Sequence, residues 1–167
     1  MEYFIKRCIE TDHPWQYNWR MSMSSNGTLY FNPEVQKFLN KWKDHISLNI
    51  SIDGNKELHD ACRVFPDGSG SYDIAIKAVR HYVDVLGGSM GSKMTLAPSN
   101  IMYTCDAVKG LIDQGYDEIY LNCVFEKGWT EEHATILYNQ LKELADYLID
   151  NDLTDKIYIA MFEPRFF

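Results

Sequence analysis

The feature that most constrains this fold is a regular alternation between short segments of period two and longer segments of helical period. Five short segments have strand character, at residues 20–25, 46–53, 93–97, 118–124 and 157–162. Strands separated by helices in this way are typical of βα units that build a parallel sheet. The sequence therefore predicts an α/β fold with a parallel sheet and outer helices.

The helices between these strands have recognisable ends. Asn32 and Ser71 each precede a helical segment and are predicted N-caps, and Thr130 is predicted to open the longest helix. Gly87 and Gly115 follow helical segments and are predicted to end them. No linker, internal repeat or low-complexity tract interrupts the pattern, so residues 1–167 are predicted to form one domain.

One face of the predicted sheet is polar. The second strand alternates four isoleucine or leucine residues with Ser47, Asn49, Ser51 and Asp53, and the first and fourth strands alternate similarly. A doubly wound sheet is covered on both faces and reads as a continuous apolar run. The alternation favours a barrel-like sheet with a wet lumen that holds a ligand. A polar face open to solvent is the alternative.

The carboxyl ends of the strands are the expected ligand site, because parallel α/β folds bind ligands there. These ends lie at residues 24–27, 51–54, 97–100, 122–124 and 162–164. Their small polar and acidic side chains suit a polar ligand with amine, hydroxyl and carboxylate groups. Asn26 and Gly54, taken alone, are predicted turn residues.

A short polar segment follows the second strand. Its Arg63 can hold a ligand carboxylate through two parallel hydrogen bonds. The alternative is an ion pair with Asp60, three positions earlier in the chain. His59 has no second histidine or nucleophile nearby in sequence and is predicted to be structural.

Charge and hydropathy exclude several classes of partner. The 16 lysines and arginines against 24 acidic residues give a net charge of -8, without a basic patch, which argues against nucleic-acid binding. Apolar runs fall far short of the ~20 residues of a membrane-spanning helix. The first residues lack the layout of a signal peptide, so a cytoplasmic location is expected.

The cysteines are scattered along the chain. Cys8, Cys62, Cys105 and Cys123 form no C-x-x-C pair and have no histidine at ligand spacing. We therefore expect reduced thiols and no metal site built from these four residues.

Several motifs occur in a specific order. The sequence contains S-S-N-G-T-L at 24–29, S-I-D-G at 51–54, the pair His59 and Asp60, Arg63, and G-S-Y-D at 70–73. This set resembles the radical S-adenosylmethionine enzymes of the peptide-maturase group, which includes the anaerobic sulfatase-maturating (SPASM-type) enzymes. There the pattern reads T-N-G-T-L-L, S-I-D-G-x-x-x-x-H-D-x-x-R and G-S-F/Y-D.

The resemblance implies a fold, two cofactors and a partner. The fold is part of a (β/α)₆ partial TIM-like barrel, whose lumen holds S-adenosylmethionine and a [4Fe-4S] cluster. The implied activity modifies a peptide or protein residue through a 5′-deoxyadenosyl radical. The implied S-adenosylmethionine contacts are Ser25, Ser51, Arg63, Asn122 and Val124, and no catalytic residue is assigned.

The chain departs from the family at its defining motif. The C-x-x-x-C-x-x-C loop that holds the cluster is absent, and about 20 residues precede the first strand, too few for two further βα units. We therefore expect residues 1–167 to be an incomplete partial-barrel domain, the central part of such an enzyme, inactive on its own.

Two other functions stay open. One is a non-catalytic module that binds S-adenosylmethionine or docks to a partner through exposed sheet edges. The other is an α/β-barrel lyase or isomerase with Asp53 or Glu163 as general base. Lys127 is the one lysine at a strand end that the latter could use.

Overall fold

The computed structural model describes residues 2–11, 19–88, 91–125 and 128–163. The helices are α1 (Glu2–Glu10), α2 (Pro33–Trp42), α3 (Lys56–Cys62), α4 (Tyr72–Leu86), α5 (Thr104–Asp113) and α6 (Glu131–Asp150). The strands are β1 (Met21–Ser25), β2 (Ile46–Ile50), β3 (Gly91–Leu96), β4 (Glu118–Cys123) and β5 (Tyr158–Ile159). All five predicted strands are present, and β5 is short because a 3₁₀ turn, Ala160–Phe162, follows it.

The strands form two parallel sheets, where the sequence predicted a single sheet. In one sheet β1 pairs with β2, and in the other β4 lies between β3 and β5. The pairing is parallel throughout, with Met21 opposite Ile46, Gly91 opposite Glu118 and Glu118 opposite Tyr158. The parallel α/β class is therefore confirmed, while the expectation of one hydrogen-bonded sheet is wrong.

Side chains join the two sheets along a seam between β2 and β3. The Ser92 hydroxyl donates to the carbonyl of Ile52 at 3.0 Å, and the Thr95 N–H donates to Asp53 Oδ1 at 3.0 Å. Both contacts use residues just beyond the carboxyl end of β2, where the chain leaves the β1–β2 ladder. The sequence gives no signal for these bonds, because strand alternation does not tell backbone pairing from side-chain pairing.

The helices cover one face of the sheets. On β2 the side chains of Ile46, Leu48 and Ile50 are buried, whereas Ser47 and Asn49 are only partly buried. The core continues through apolar side chains of α4, α5 and α6, among them Ala75, Ala78, Val79, Val108, Leu111, Leu144 and Leu148. This arrangement confirms the apolar and polar faces that the alternation predicted.

The predicted helix ends are largely confirmed. The Asn32 side chain accepts from the Glu34 N–H at 2.9 Å, and Thr130 forms a reciprocal capping box with His133. Gly87 ends α4 in the left-handed conformation, with φ of +68°. Ser71 occupies the N-cap position of α4 without capping it, because its hydroxyl bonds elsewhere.

Two further observations concern the helices. Helix α1 was not predicted; it is amphipathic and buries Ile5. In the ranges that the structure describes, no helix combines the length and the apolar character needed to span a bilayer.

Candidate functional site

Two of the five predicted S-adenosylmethionine contacts lie at the ends of β1 and β2. The Ser51 N–H donates to the Ser25 carbonyl at 2.9 Å, so the two residues are neighbours across the ladder. The Ser25 hydroxyl accepts from the Gly27 N–H at 3.1 Å, which fixes the turn after β1. Ser51 lies between the buried residues Ile50 and Ile52 and therefore points to the polar face.

The other strand residues lie at the end of β4. Asn122 is exposed on the polar face and pairs in register with Thr95. Val124 follows β4, where its N–H donates to the Leu96 carbonyl and its carbonyl accepts from the Trp129 indole, each at 2.9 Å. Both backbone polar groups of Val124 are thus hydrogen-bonded.

Arg63, the fifth predicted contact, forms an ion pair with Asp53. Its Nε donates to Oδ2 at 2.5 Å, and its Nη2 donates to Oδ1 at 3.3 Å. Asp53 is only 7% exposed and also accepts from the Thr95 N–H. The alternative pairing of Arg63 with Asp60 is wrong, because the chain leaves the helix at Arg63, where φ is -116° and ψ is 86°.

Two hydrogen-bonded residues hold the backbone of Arg63 in place. His59 is fully buried; its Nδ1 accepts from the Asp53 N–H at 3.2 Å, and its Nε2 lies 3.1 Å from the Ser71 hydroxyl. The Ser71 hydroxyl donates to the Arg63 carbonyl at 2.8 Å. Burial lowers the pKa of His59. His59 is therefore a neutral structural residue, protonated at Nε2, as the sequence predicted.

The rest of the motif ties α3 to the start of α4. Asp60 Oδ1 accepts from the Tyr72 N–H at 2.8 Å, and Oδ2 lies 3.4 Å from Lys56 Nζ. A Cβ atom on Gly70 would overlap the Asp60 carboxylate, so any larger residue there would have to displace that carboxylate. Gly54 has φ of +81° and lies against Ala107 of α5, which explains the glycine of S-I-D-G.

Two shallow pockets border the Arg63 side chain. One, of about 250 Å³, is lined by Asp53, Cys62, Arg63, Thr95, Ala97, Ser99 and Asn100. The other, of about 370 Å³, is lined by Asn26, Thr28, Cys62, Arg63, Val64, Phe65, Pro66 and Ser71. Arg63 is thus placed at the carboxyl ends of the strands, with polar groups on both sides of its guanidinium.

Sequence reasoning missed two residues of this face. Lys93 of β3 reaches across to β1, and its Nζ lies 3.2 Å from the Ser24 hydroxyl. Asp53 was considered only as a general base, not as the partner of Arg63. For Lys93 the alternation of β3 was the available signal: Ser92, Met94 and Leu96 are buried, so Lys93 points to the opposite, polar face. Asn26 acts as predicted, its side chain accepting from the Thr28 N–H in a turn.

The residues proposed for lyase or isomerase chemistry lie apart in the fold. Both carboxylate oxygens of Asp53 are engaged by Arg63, and one also by Thr95, which argues against Asp53 as a general base. Glu163 borders an apolar pocket of about 330 Å³ between α6 and β5. Lys127 and Pro164 lie outside the described residues.

The donor set of this chain does not fit an iron–sulfur cluster. Cys8 lies on α1, Cys62 at the end of α3, Cys105 inside α5 and Cys123 at the end of β4, and all four are free thiols. Burial raises the pKa of the Cys105 and Cys123 thiols, which disfavours the thiolate that iron requires. Among the described residues, no three His, Cys, Asp or Glu side chains stand close enough to share a metal ion.

Comparison with solved structures identifies similar folds. The chain matches anSMEcpe, an anaerobic sulfatase-maturating radical S-adenosylmethionine enzyme, in a polyhistidine-tagged form with bound AdoMet, with a TM-score of 0.72 and 20% identity. It matches native anSMEcpe with bound AdoMet and the Kp18Cys peptide at 0.73 and 19%, and with the Cp18Cys peptide at 0.73 and 20%. The chain has the fold of the part of this enzyme that it matches. The resemblance read from the motifs is confirmed at this level.

The extent of the match is unequal for the two proteins. It covers 95%, 96% and 97% of this chain, but only 43%, 46% and 46% of the respective anSMEcpe chains. This chain therefore spans less than half the length of the structures it resembles. No protein-family model and no curated protein matches it.

Proposed function

We propose that this chain is the central, cofactor-holding part of a radical S-adenosylmethionine enzyme that modifies a peptide or protein residue through a 5′-deoxyadenosyl radical. The observation that carries the proposal is the joint occurrence of the anSMEcpe fold and a polar strand face that ends in the Ser51 to Arg63 motif. The fold alone hosts many functions, and the residues at its strand ends make this one specific.

The chain's own residues fit S-adenosylmethionine. The carboxylate of S-adenosylmethionine requires a fixed cationic donor, and Arg63 supplies one at the carboxyl end of β2. The Ser51 hydroxyl and the exposed Asn122 amide face the same polar side and can bond the amine and ribose. The Val124 side chain offers the adenine an apolar contact. Ser25 orders the turn through which β1 leaves the site.

The partial barrel is part of the same proposal. The polar faces of the two sheets lie on one side, as the contact between Lys93 and Ser24 requires. Helices cover the opposite face. We propose that further βα units close this arrangement into a (β/α)₆ partial barrel, with the polar face as its lumen and a peptide or protein as substrate.

Cleavage of the bound cofactor requires an electron from a cluster, which the thiols of this chain do not hold. We therefore expect the isolated chain to bind S-adenosylmethionine without cleaving it. Anaerobic reconstitution with iron and sulfide should give no stoichiometric thiolate-to-iron absorbance. A stoichiometric cluster would show that this interpretation of the four cysteines is wrong.

Titration calorimetry with S-adenosylmethionine tests the site. The wild-type chain should bind one equivalent, and Ser51→Ala and Asn122→Ala should each weaken binding by about fivefold, since a neutral hydrogen bond contributes ~1 kcal/mol. Thr135→Ala, on the exposed surface of α6, is the matched control and should bind like wild type. Absence of binding would refute the proposal, and binding unchanged by both site variants would remove this site.

A second candidate function is a non-catalytic binding or docking module. The scattered thiols favour it, because a module needs no cluster. The short β5 leaves an edge on which a partner strand could add. In that case the chain should bind S-adenosylmethionine in the calorimetric test yet remain without radical activity when combined with a protein that carries a loaded cluster.

A further inference from the structure

The ion pair between Asp53 and Arg63 is built into the site more firmly than a surface pair. Asp53 is buried, and its carboxylate receives two hydrogen bonds from the guanidinium and a third from the Thr95 backbone. Arg63 is partly exposed at the mouth of the two pockets described above. The paired edge of the guanidinium is its Nε and Nη2 edge.

The backbone of Arg63 is held as firmly as its side chain. Its N–H donates to the His59 carbonyl at 2.8 Å, and its carbonyl accepts from the Ser71 N–H at 3.1 Å and from the Ser71 hydroxyl. An arginine side chain has four rotatable bonds and loses rotamer freedom when it is ordered. Here the contacts with Asp53, His59 and Ser71 restrict both the backbone and the side chain of Arg63.

One edge of the guanidinium remains for a ligand. Within the described residues, Arg63 Nη1 has no hydrogen-bond partner, and the fork geometry directs Nη1 away from Asp53. A planar guanidinium can bind one carboxylate on each edge, whereas an ammonium group has no such pair of edges. An arginine fixed on one edge presents its other edge in a single orientation.

We propose that Asp53 is a positioning residue, which orients Arg63 so that its free edge binds the carboxylate of S-adenosylmethionine. The inference rests on the function proposed above and adds a selectivity to it. Asp53 makes the site discriminate in favour of ligands that carry the aminocarboxypropyl group. The Asp53 carboxylate also accepts a hydrogen bond from Thr95 of β3. Residues of both sheets therefore determine where the free edge of Arg63 lies.

The test compares two ligands, S-adenosylmethionine and 5′-methylthioadenosine, which lacks the aminocarboxypropyl group. In Asp53→Asn the amide oxygen can still accept from Thr95, while the charge that holds Arg63 is lost. The affinity for S-adenosylmethionine should fall about tenfold, and the affinity for 5′-methylthioadenosine should change by less than about twofold. Asp152→Asn, at an exposed aspartate that follows α6, is the matched control and should change neither affinity.

A double-mutant cycle shows whether Asp53 acts through Arg63. In an Arg63→Ala background, Asp53→Asn should leave the ratio of the two affinities unchanged. Arg63→Lys keeps the charge but not the forked guanidinium, and it should lower the ratio of the affinities for S-adenosylmethionine and 5′-methylthioadenosine about tenfold. This variant replaces Asp53→Asn in the test if Asp53→Asn does not fold.

The outcomes separate this inference from the proposed function. If the wild-type chain binds neither ligand, the proposed function fails. If both ligands bind but Asp53→Asn weakens them equally, Asp53 is only structural and the inference is overturned. It is also overturned if Asp53→Asn or Arg63→Lys leaves the ratio of affinities unchanged, or if S-adenosylmethionine binds the Asp53→Asn variant more tightly.

Discussion

His59 and Asp60 are adjacent in sequence but act on different groups. The imidazole bonds inward to the Asp53 N–H and the Ser71 hydroxyl, and the carboxylate bonds outward to the start of α4 through the Tyr72 N–H. Both side chains act at this place because α3 ends at Cys62, just before Arg63, and its last residues must be fixed to the neighbouring helix. The motif therefore has a structural role that is independent of any ligand.

We call the bond between the Asp60 carboxylate and the Tyr72 N–H the clamp between α3 and α4. Gly70, the glycine of G-S-Y-D, provides a direct test of it. Gly70→Ala should destabilise the protein by about 1–3 kcal/mol, because the added methyl group overlaps the Asp60 carboxylate and forces it from Tyr72. Urea denaturation measures the free energy of unfolding. Gly110→Ala in α5 is the control: its Cβ would lie 3.6 Å from the nearest atom, and helix propensity predicts about 0.5–1 kcal/mol of stabilisation. Equal stability of Gly70→Ala and wild type would contradict the clamp.

Burial of His59 makes stability depend on pH. Its folded pKa is lowered by desolvation, so below the unfolded value of about 6.5 the unfolded chain binds protons that the folded chain does not. The stabilisation is complete above pH ~6.5 and declines as the pH falls toward the folded pKa. Urea denaturation between pH 7 and pH 5 should show this decline. His59→Gln should remove it, and a pH dependence that persists in the variant would assign the effect to another group.

The residues of this site show what sequence can and cannot predict. The turn at Asn26 and the structural role of His59 follow from local chemistry, and the structure agrees with both. The partner of Arg63 did not follow, because Asp60 is closer in sequence and Asp53 is reached only after the chain leaves the helix. A pairing that depends on tertiary geometry has no signature in spacing.

At the scale of elements, caps and periodicity predicted most of the strands and helices. The five strands have the predicted order, Asn32 caps α2 as expected, and Thr130 opens the longest helix as expected. Strand β5 is shorter than predicted because a 3₁₀ turn takes up the apolar residues after Ile159. The short α1 has weak sequence signals, and it is stabilised by burial of Ile5 and by contacts such as the Glu2 to Lys41 ion pair.

The cap of α2 gives a prediction at this scale. Asn32→Ala should destabilise the protein by about 1 kcal/mol, because it removes the side-chain acceptor of the Glu34 N–H. Asn32→Asp keeps an acceptor and should retain most of the stability. Thermal unfolding of the two variants beside wild type measures the difference. If alanine and aspartate behave alike, the cap does not contribute.

At the scale of the whole molecule, the arrangement of the two sheets was beyond the sequence. The alternation of polar and apolar residues predicted two faces, and the structure has them. It did not predict that β2 and β3 would be joined by side chains, since Ser92 and Asp53 look like ordinary strand and turn residues.

The seam between β2 and β3 gives the prediction at this scale. Ser92→Ala should destabilise the protein by about 1–3 kcal/mol, because the buried Ile52 carbonyl loses its donor. Ser22→Ala, an exposed serine of β1, should change stability by less than about 0.5 kcal/mol. Hydrogen exchange locates the effect: the Thr95 amide should exchange faster in Ser92→Ala. Unchanged exchange there would show that the seam does not depend on Ser92.

A backbone ladder forms between almost any two strands, whereas the bonds across this seam exist only while particular side chains are encoded. The relative orientation of the two sheets thus depends on the side chains of Ser92 and Asp53 as well as on the shared apolar core. A single substitution at either position can therefore remove a bond between the sheets while the backbone ladder within each sheet stays intact.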